Sequence, residues 1–204
     1  MRLNIYQWFN NIQLLALQKI LKVNASFQWS VPIRFGPFWA VIVSIEQGGS
    51  EHKKATGFGV DTRFRVAAQK ACSEAMEIAA LNQSGLALQS RTGWAANFTL
   101  HLAKQNAFEE LIERDALLFH WLGEVPGIEF KHDSIQTLKA AKAICQDRNE
   151  TFAIVELMSA ESSVKVVLAV SRSIRFGCWQ LGLGAGQCLC GAAEKAIREW
   201  AGVV

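Results

Sequence analysis

Three glycines stand seventeen residues ahead of three glutamates: Gly57 before Glu74, Gly93 before Glu110 and Gly182 before Glu199. The agreement goes further than that spacing. Two positions after each glycine comes a small residue, Gly59, Ala95 or Gly184. Seven residues before each glutamate stands Ala67, Ala103 or Ala192, and three before it Ala71, Ala107 or Ala196. A repeat of this kind constrains a chain more than composition does, because each copy must fold as the same supersecondary unit. Helical character follows every glycine, and apolar or β-branched residues precede the first and third, so the unit reads as strand, small-residue turn and helix. Offsets of −7, −3 and 0 share one helical face. Alanines on that face let another backbone approach closely, and three such faces would gather their glutamates round one site.

Glutamate doubles in two of the units. Glu74 and Glu77 are three residues apart, as are Glu110 and Glu113, so each pair projects from one side of its helix. The second pair sits in "AFEELIERDALLFHW" (107–121), where apolar side chains occur all the way round the helix. Such a helix is expected to be mostly buried, and a buried carboxylate must be paired, metal-bound or protonated. Converging carboxylates offer the hard oxygens that suit Mg²⁺, which is commonly held by a few carboxylates together with nucleotide phosphates. The plainer alternative is a set of solvated charges partnered by Lys70, Arg114 or Lys195.

The 204 residues, half of them hydrophobic, suit one compact domain over 1–204, with a docking helix within 1–24. The expected class is α+β, a mixed sheet with strands near 38–46, 53–59, 152–158, 164–171 and 176–184. Helices are expected near 5–22, 62–82, 98–122, 134–148 and 187–201. A formal charge of +3 with scattered basic residues gives no argument for nucleic acid. Five cysteines without C-x-x-C spacing argue against structural zinc, and no apolar run approaches membrane-spanning length. A reduced, soluble, cytoplasmic protein is the default. P-loop, dinucleotide-fingerprint, E-x-x-H, H-E-x-x-H and G-x-S-x-G patterns are absent. His101 and His120 are neither three nor four residues from either glutamate of the second pair, and the seven tryptophans read as core.

Two stretches, "ATGFGVDTRFRVAAQKACSEAMEIAAL" and "GWAANFTLHLAKQNAFEELIERDALLFHWL", resemble the two central motifs of the YcaO-domain proteins. "GLGAGQCLCGAAEKAIREW" is similar to their third. The resemblance implies an ATP- and Mg²⁺-binding domain in which glutamates from several helices hold the metal ions. It matches Glu74 and Glu77 to the family's first E-x-x-E, Glu110 and Glu113 to its second, and Glu199 to the glutamate of its third motif. Lys195 falls where the family commonly places an arginine near the phosphates, and Asn106 would add a polar contact to the nucleotide. Ile78 follows Glu77 where the family usually has arginine.

Characterised members use ATP to activate a peptide backbone amide, giving azolines, amidines or thioamides in ribosomally made peptides. Another branch is linked to methylthiolation of a ribosomal protein. The partners this implies are a peptide substrate and a leader-peptide-binding or full-length YcaO protein, with a homodimer left open. Two other readings stand beside an ATP-dependent cyclodehydratase: a non-catalytic YcaO-like partner or peptide-binding protein, and an unrelated hydrolase with carboxylate-bridged metals.

Overall fold

In the computed structural model, residues 25–47, 53–84, 92–93, 95, 97, 99–130, 135–174 and 177–203 are described. The docking helix expected near 5–22 lies outside them. The elements in chain order are β1 (Ala25–Trp29), β2 (Ile33–Phe35), β3 (Phe38–Gln47), β4 (Lys53–Asp61), α1 (Phe64–Ser84), α2 (Leu100–Leu122), β5 (Ile128–Glu129), α3 (Gln136–Asp147), β6 (Thr151–Leu157), β7 (Lys165–Arg172), β8 (Trp179–Gly186) and α4 (Leu189–Ala201). The class is α+β, as expected. The strands divide into two antiparallel four-stranded sheets rather than one mixed sheet, one ordered β1–β3–β2 with β4 also on β3, the other β5–β6–β7–β8. Antiparallel pairing follows from the connections, because β3–β4 and β6–β7–β8 are joined by short hairpins that cannot make a parallel crossover.

The chain forms two compact units, Met1–Ile33 with Trp39–Gln89, and Arg34–Phe38 with Ser90–Val204. In the first, Val41, Val43 and Ile45 alternate along β3 and are fully buried against Ala67, Ala71, Cys72, Ala75 and Ala79 of α1. Burying each of those three side chains contributes about 1.5–3 kcal/mol. Asp61 ends β4 and accepts the Arg63 N–H at 3.1 Å just ahead of α1.

In the second unit, β8 is covered on both faces. Leu183 and Ala185 share a cluster with Ala116 of α2, while Gly182 and Gly184 point to the backbone of α4. The alanine face of α4 (Ala192, Ala193, Ala196) and Trp200 are buried, and Trp200 Nε1 donates to Ser171 Oγ at 2.9 Å. Thr99 caps α2 by accepting the Leu102 N–H at 3.2 Å. His120 closes the other end: Val125 O lies 2.8 Å from Nδ1, and Nε2 accepts the Met158 N–H at 2.7 Å.

Two expectations need correction. Helix α2 is not mostly buried: Phe108, Leu111, Leu118, Phe119, Trp121 and Leu122 are exposed, and Glu113, Ala116 and His120 are its buried residues. The sheet covers one side of a helix that is apolar on every side. Nor are the tryptophans uniformly core, since Trp121 and Trp179 face solvent.

Candidate functional site

The repeat is realised in three dimensions by its first and third copies. A Cβ placed on Gly57 would fall on the Ala71 carbonyl and the Ala75 amide; one on Gly182 would fall on the Ala196 carbonyl and the Trp200 amide. Gly59 and Gly184 repeat the relation one turn earlier, against Ala67 with Ala71 and Ala192 with Ala196. Glycine on the strand and alanine on the helix thus bring two backbones into direct contact. Both strands, β4 and β8, are edges of their sheets. An edge strand leaves alternate N–H groups unpaired. The repeated glutamate fills that need: Glu74 Oε2 accepts the Phe58 N–H at 2.7 Å, and Glu199 Oε2 accepts the Leu183 N–H at 3.2 Å.

The second copy departs from this pattern. No strand lies between α1 and α2 among the described residues, and Gly93 sits in a turn with a φ of 82°, a left-handed conformation that glycine adopts freely. The glutamate contact nonetheless survives, with Glu110 Oε2 accepting the Gly93 N–H at 3.2 Å. Helix α2 packs instead on β8, where Glu113 Oε1 accepts the Ala185 N–H at 2.6 Å. Leu183 and Ala185 are adjacent outward donors on one strand edge. They are therefore held by carboxylates from two different helices, α4 and α2.

That edge is the candidate site. Lys195 Nζ lies 2.5 Å from Glu113 Oε1 and 3.7 Å from Glu109 Oε2, and Gln105 Nε2 donates to Glu109 Oε1 at 2.9 Å. Burial alone would lower the Lys195 ammonium, but Glu113, then Glu199 and Glu109, hold it above its usual value. Burial, then the Glu113 charge, push the Glu199 carboxyl up to about 7 against the pull of Lys195, the Leu183 N–H and Arg114. One lysine does not neutralise this cluster.

Glu74 and Glu77 lie half-buried on α1 in the first unit, and Asn106 is exposed on α2 four residues before Glu110. Sequence reasoning missed Glu109, which no repeat position marks. It also offered Lys70 as a glutamate partner; Lys70 pairs with buried Asp61 at 3.2 Å and donates to Val60 O at 3.1 Å. The register was there to be read, because Lys70, Asn106 and Lys195 each stand four residues before the repeated glutamate.

The donor set fits a divalent cation. Glu110, Glu113 and Glu199 each commit one oxygen to a backbone N–H and keep the other without a hydrogen bond among the described residues. Their hard oxygens and excess negative charge suit Mg²⁺. Among the described residues, no three His, Cys, Asp or Glu side chains are already drawn together as a preformed metal cage.

A family model described as YcaO cyclodehydratase, ATP- and Mg²⁺-binding, matches residues 79–204, more than half of the chain. The chain belongs to the YcaO family. Among solved structures, YcaO from Methanopyrus kandleri bound with AMPPCP and Mg²⁺ is 18% identical with a TM-score of 0.76, covering 98% of this chain and 66% of its own. The heterocyclase TruD is 23% identical with a TM-score of 0.50, covering 55% of this chain and 17% of its own. The E. coli microcin synthetase McbBCD complex is 13% identical with a TM-score of 0.56, covering 85% of this chain and 62% of the matched one. At these identities the likeness is one of fold, and this YcaO chain spans less than two thirds of each. No curated protein matches it. Among the described residues, no helix is long and apolar enough to cross a membrane.

Proposed function

We propose that this YcaO chain uses ATP and Mg²⁺ to activate a backbone amide of a ribosomally made peptide, with cyclodehydration to an azoline as the leading outcome. The observation that carries the reading is the β8 edge, where Glu113, Glu109 and Glu199 surround Lys195 in a family described as ATP- and Mg²⁺-binding.

Glu110, Glu113 and Glu199 would hold Mg²⁺, which supplies charge neutralisation for bound phosphates. Lys195 would bind phosphate as a point charge, already fixed in place by Glu113 and Glu109. Glu74 and Glu77 on the first unit, and Asn106 on α2, are proposed contributors assigned by the resemblance. ATP supplies the phosphoryl group that turns the amide oxygen into a leaving group. A Cys, Ser or Thr side chain of the peptide attacks the same carbon, and phosphate departs with that oxygen. The chain's part is to position and to balance charge.

The test is incubation of the purified chain with Mg·ATP and cysteine- or serine-containing peptides. ADP release coupled to loss of one water from the peptide is expected. A second reading, a YcaO-like partner without catalysis, is favoured by the exposed apolar side of α2. It predicts no ADP release with any peptide until a complete YcaO enzyme is added.

A further inference from the structure

The candidate site uses only one half of the β8 edge. Leu183 and Ala185 turn their N–H groups away from β7, and strand alternation carries the same outward orientation back to Leu181 and Trp179. Glu199 and Glu113 claim the first two. Trp179 and Leu181 make no hydrogen bond on that side among the described residues. Their side chains are 62% and 37% exposed, whereas Leu183 and Ala185 are buried in the cluster with Ala116 of α2. The repeat supplies a comparison. On β4 its register sets Lys54 where β8 has Trp179, and Thr56 where β8 has Leu181. Lysine on an edge discourages an incoming strand, and β8 (WQLGLGAG) carries no charge at all. Arg172 of β7 is opposite Trp179 in register. Its guanidinium lies 5.8 Å from the indole ring and has no ion-pair partner among the described residues.

We infer that an extended segment of the peptide substrate adds to β8 at Trp179 and Leu181, the identity of that occupant resting on the peptide reading above. An apolar side chain of the peptide lies beside Leu181, and an acidic one beside Trp179 turns toward Arg172. Outward N–H and C=O groups at strand spacing recognise main chain whatever its sequence, and the flanking side chains add the preference. The edge also sets where pairing stops. Two residues further on, about 7 Å at strand rise, the Leu183 N–H is already held by Glu199. The added chain finds no donor there and leaves the sheet. It leaves beside the carboxylates assigned to Mg²⁺, which brings a backbone amide to the phosphates without any side-chain contact at that amide.

The probe is a library of short synthetic peptides with one fixed cysteine and all other positions randomised, passed over the immobilised 204-residue chain without nucleotide. Recovered peptides are expected to share an apolar residue with Asp or Glu two positions away, on the same face of a strand. Leu181→Pro should lower recovery by about tenfold or more, since it removes one outward donor and no bond to β7. Methylating the backbone nitrogens of a recovered peptide one at a time should abolish binding at alternate positions only, as strand pairing requires. Arg172→Glu, with its fold confirmed by circular dichroism, should exchange the acidic preference for a basic one. No recovery by wild type, wild-type recovery by folded Leu181→Pro, an unaltered selection by Arg172→Glu, or methylation effects without alternation each overturn the inference. So does a wild-type dimer in sedimentation that Leu181→Pro dissociates, because the edge then belongs to a second copy. Mg·ATP binding is read separately by thermal shift. Peptide recovery without an ATP shift overturns the activation chemistry and leaves this site standing, and an ATP shift without peptide recovery does the reverse.

Discussion

One carboxylate oxygen, Glu113 Oε1, receives both the Lys195 ammonium at 2.5 Å and the Ala185 N–H at 2.6 Å. Through it α2 is tied at once to the edge of β8 and to α4. Glu113→Gln keeps an acceptor for the amide but removes the charge opposite Lys195. We expect a loss of about 1–2 kcal/mol, held down because Lys195 remains a third open to solvent. Urea unfolding should show a lower midpoint with an unchanged slope.

The backbone contact between β8 and α4 makes Gly182 intolerant of any side chain. Gly182→Ala places a methyl group on the Ala196 carbonyl and the Trp200 amide, neither of which can rotate away. A loss of about 3 kcal/mol or more is expected, at the top of the range for overpacking. Gly177→Ala is the comparison: its φ is 64°, but among the described residues nothing lies within 4 Å of the added carbon. That change should cost about 1–2 kcal/mol from backbone conformation alone. Thermal unfolding of the two variants should therefore rank them, with Gly182→Ala the less stable.

Glu199 gives the apo-protein a pH signature. Its carboxyl stands at about 7 in the fold, mainly through burial and then Glu113, against an ordinary 4.5. Between those values the folded chain keeps a proton that the unfolded chain has released. Its contribution is therefore complete below about 4.5 and is lost as pH rises through about 7. With a chelator present, stability should fall over that window, and Glu199→Gln should flatten the fall. An equal slope in wild type and variant would contradict this.

The cysteines should separate by reactivity. Burial pushes the Cys72 thiol up to about 12, so almost no thiolate exists at neutral pH, whereas Cys178, Cys188 and Cys190 are exposed. Brief treatment of the native protein with iodoacetamide, followed by peptide mass mapping, should label the exposed three and spare Cys72. Labelling of Cys72 at the same rate would mean that α1 opens readily.

How much of this could be read beforehand depends on what each residue contacts. The repeat was legible because a glycine, two alanines and a glutamate at fixed offsets all serve one local contact, a helix lying on the strand just before it. The strands β3, β4, β6, β7 and β8 followed from alternation and β-branched runs. The two-sheet arrangement did not, because strand pairing is settled by connections and long-range contacts that periodicity does not encode. Glu109 was invisible for the same reason, since its partner Lys195 is distant in sequence and belongs to another helix. The open side of α2 misled the reading of burial: a helix apolar all round does not say how much of it its own chain will cover.

The central claim is that the β8 edge binds Mg·ATP, and a thermal-shift titration with Mg·ATP tests it most directly, run on wild type and Lys195→Ala. A ligand that binds only the folded state stabilises it by about 2.7 kcal/mol at a hundred times its dissociation constant. Wild type is expected to show a saturable rise in Tm, absent or shifted to at least about tenfold higher ATP in the variant. An unchanged Tm up to millimolar Mg·ATP, or a rise that Lys195→Ala shares in full, would contradict it.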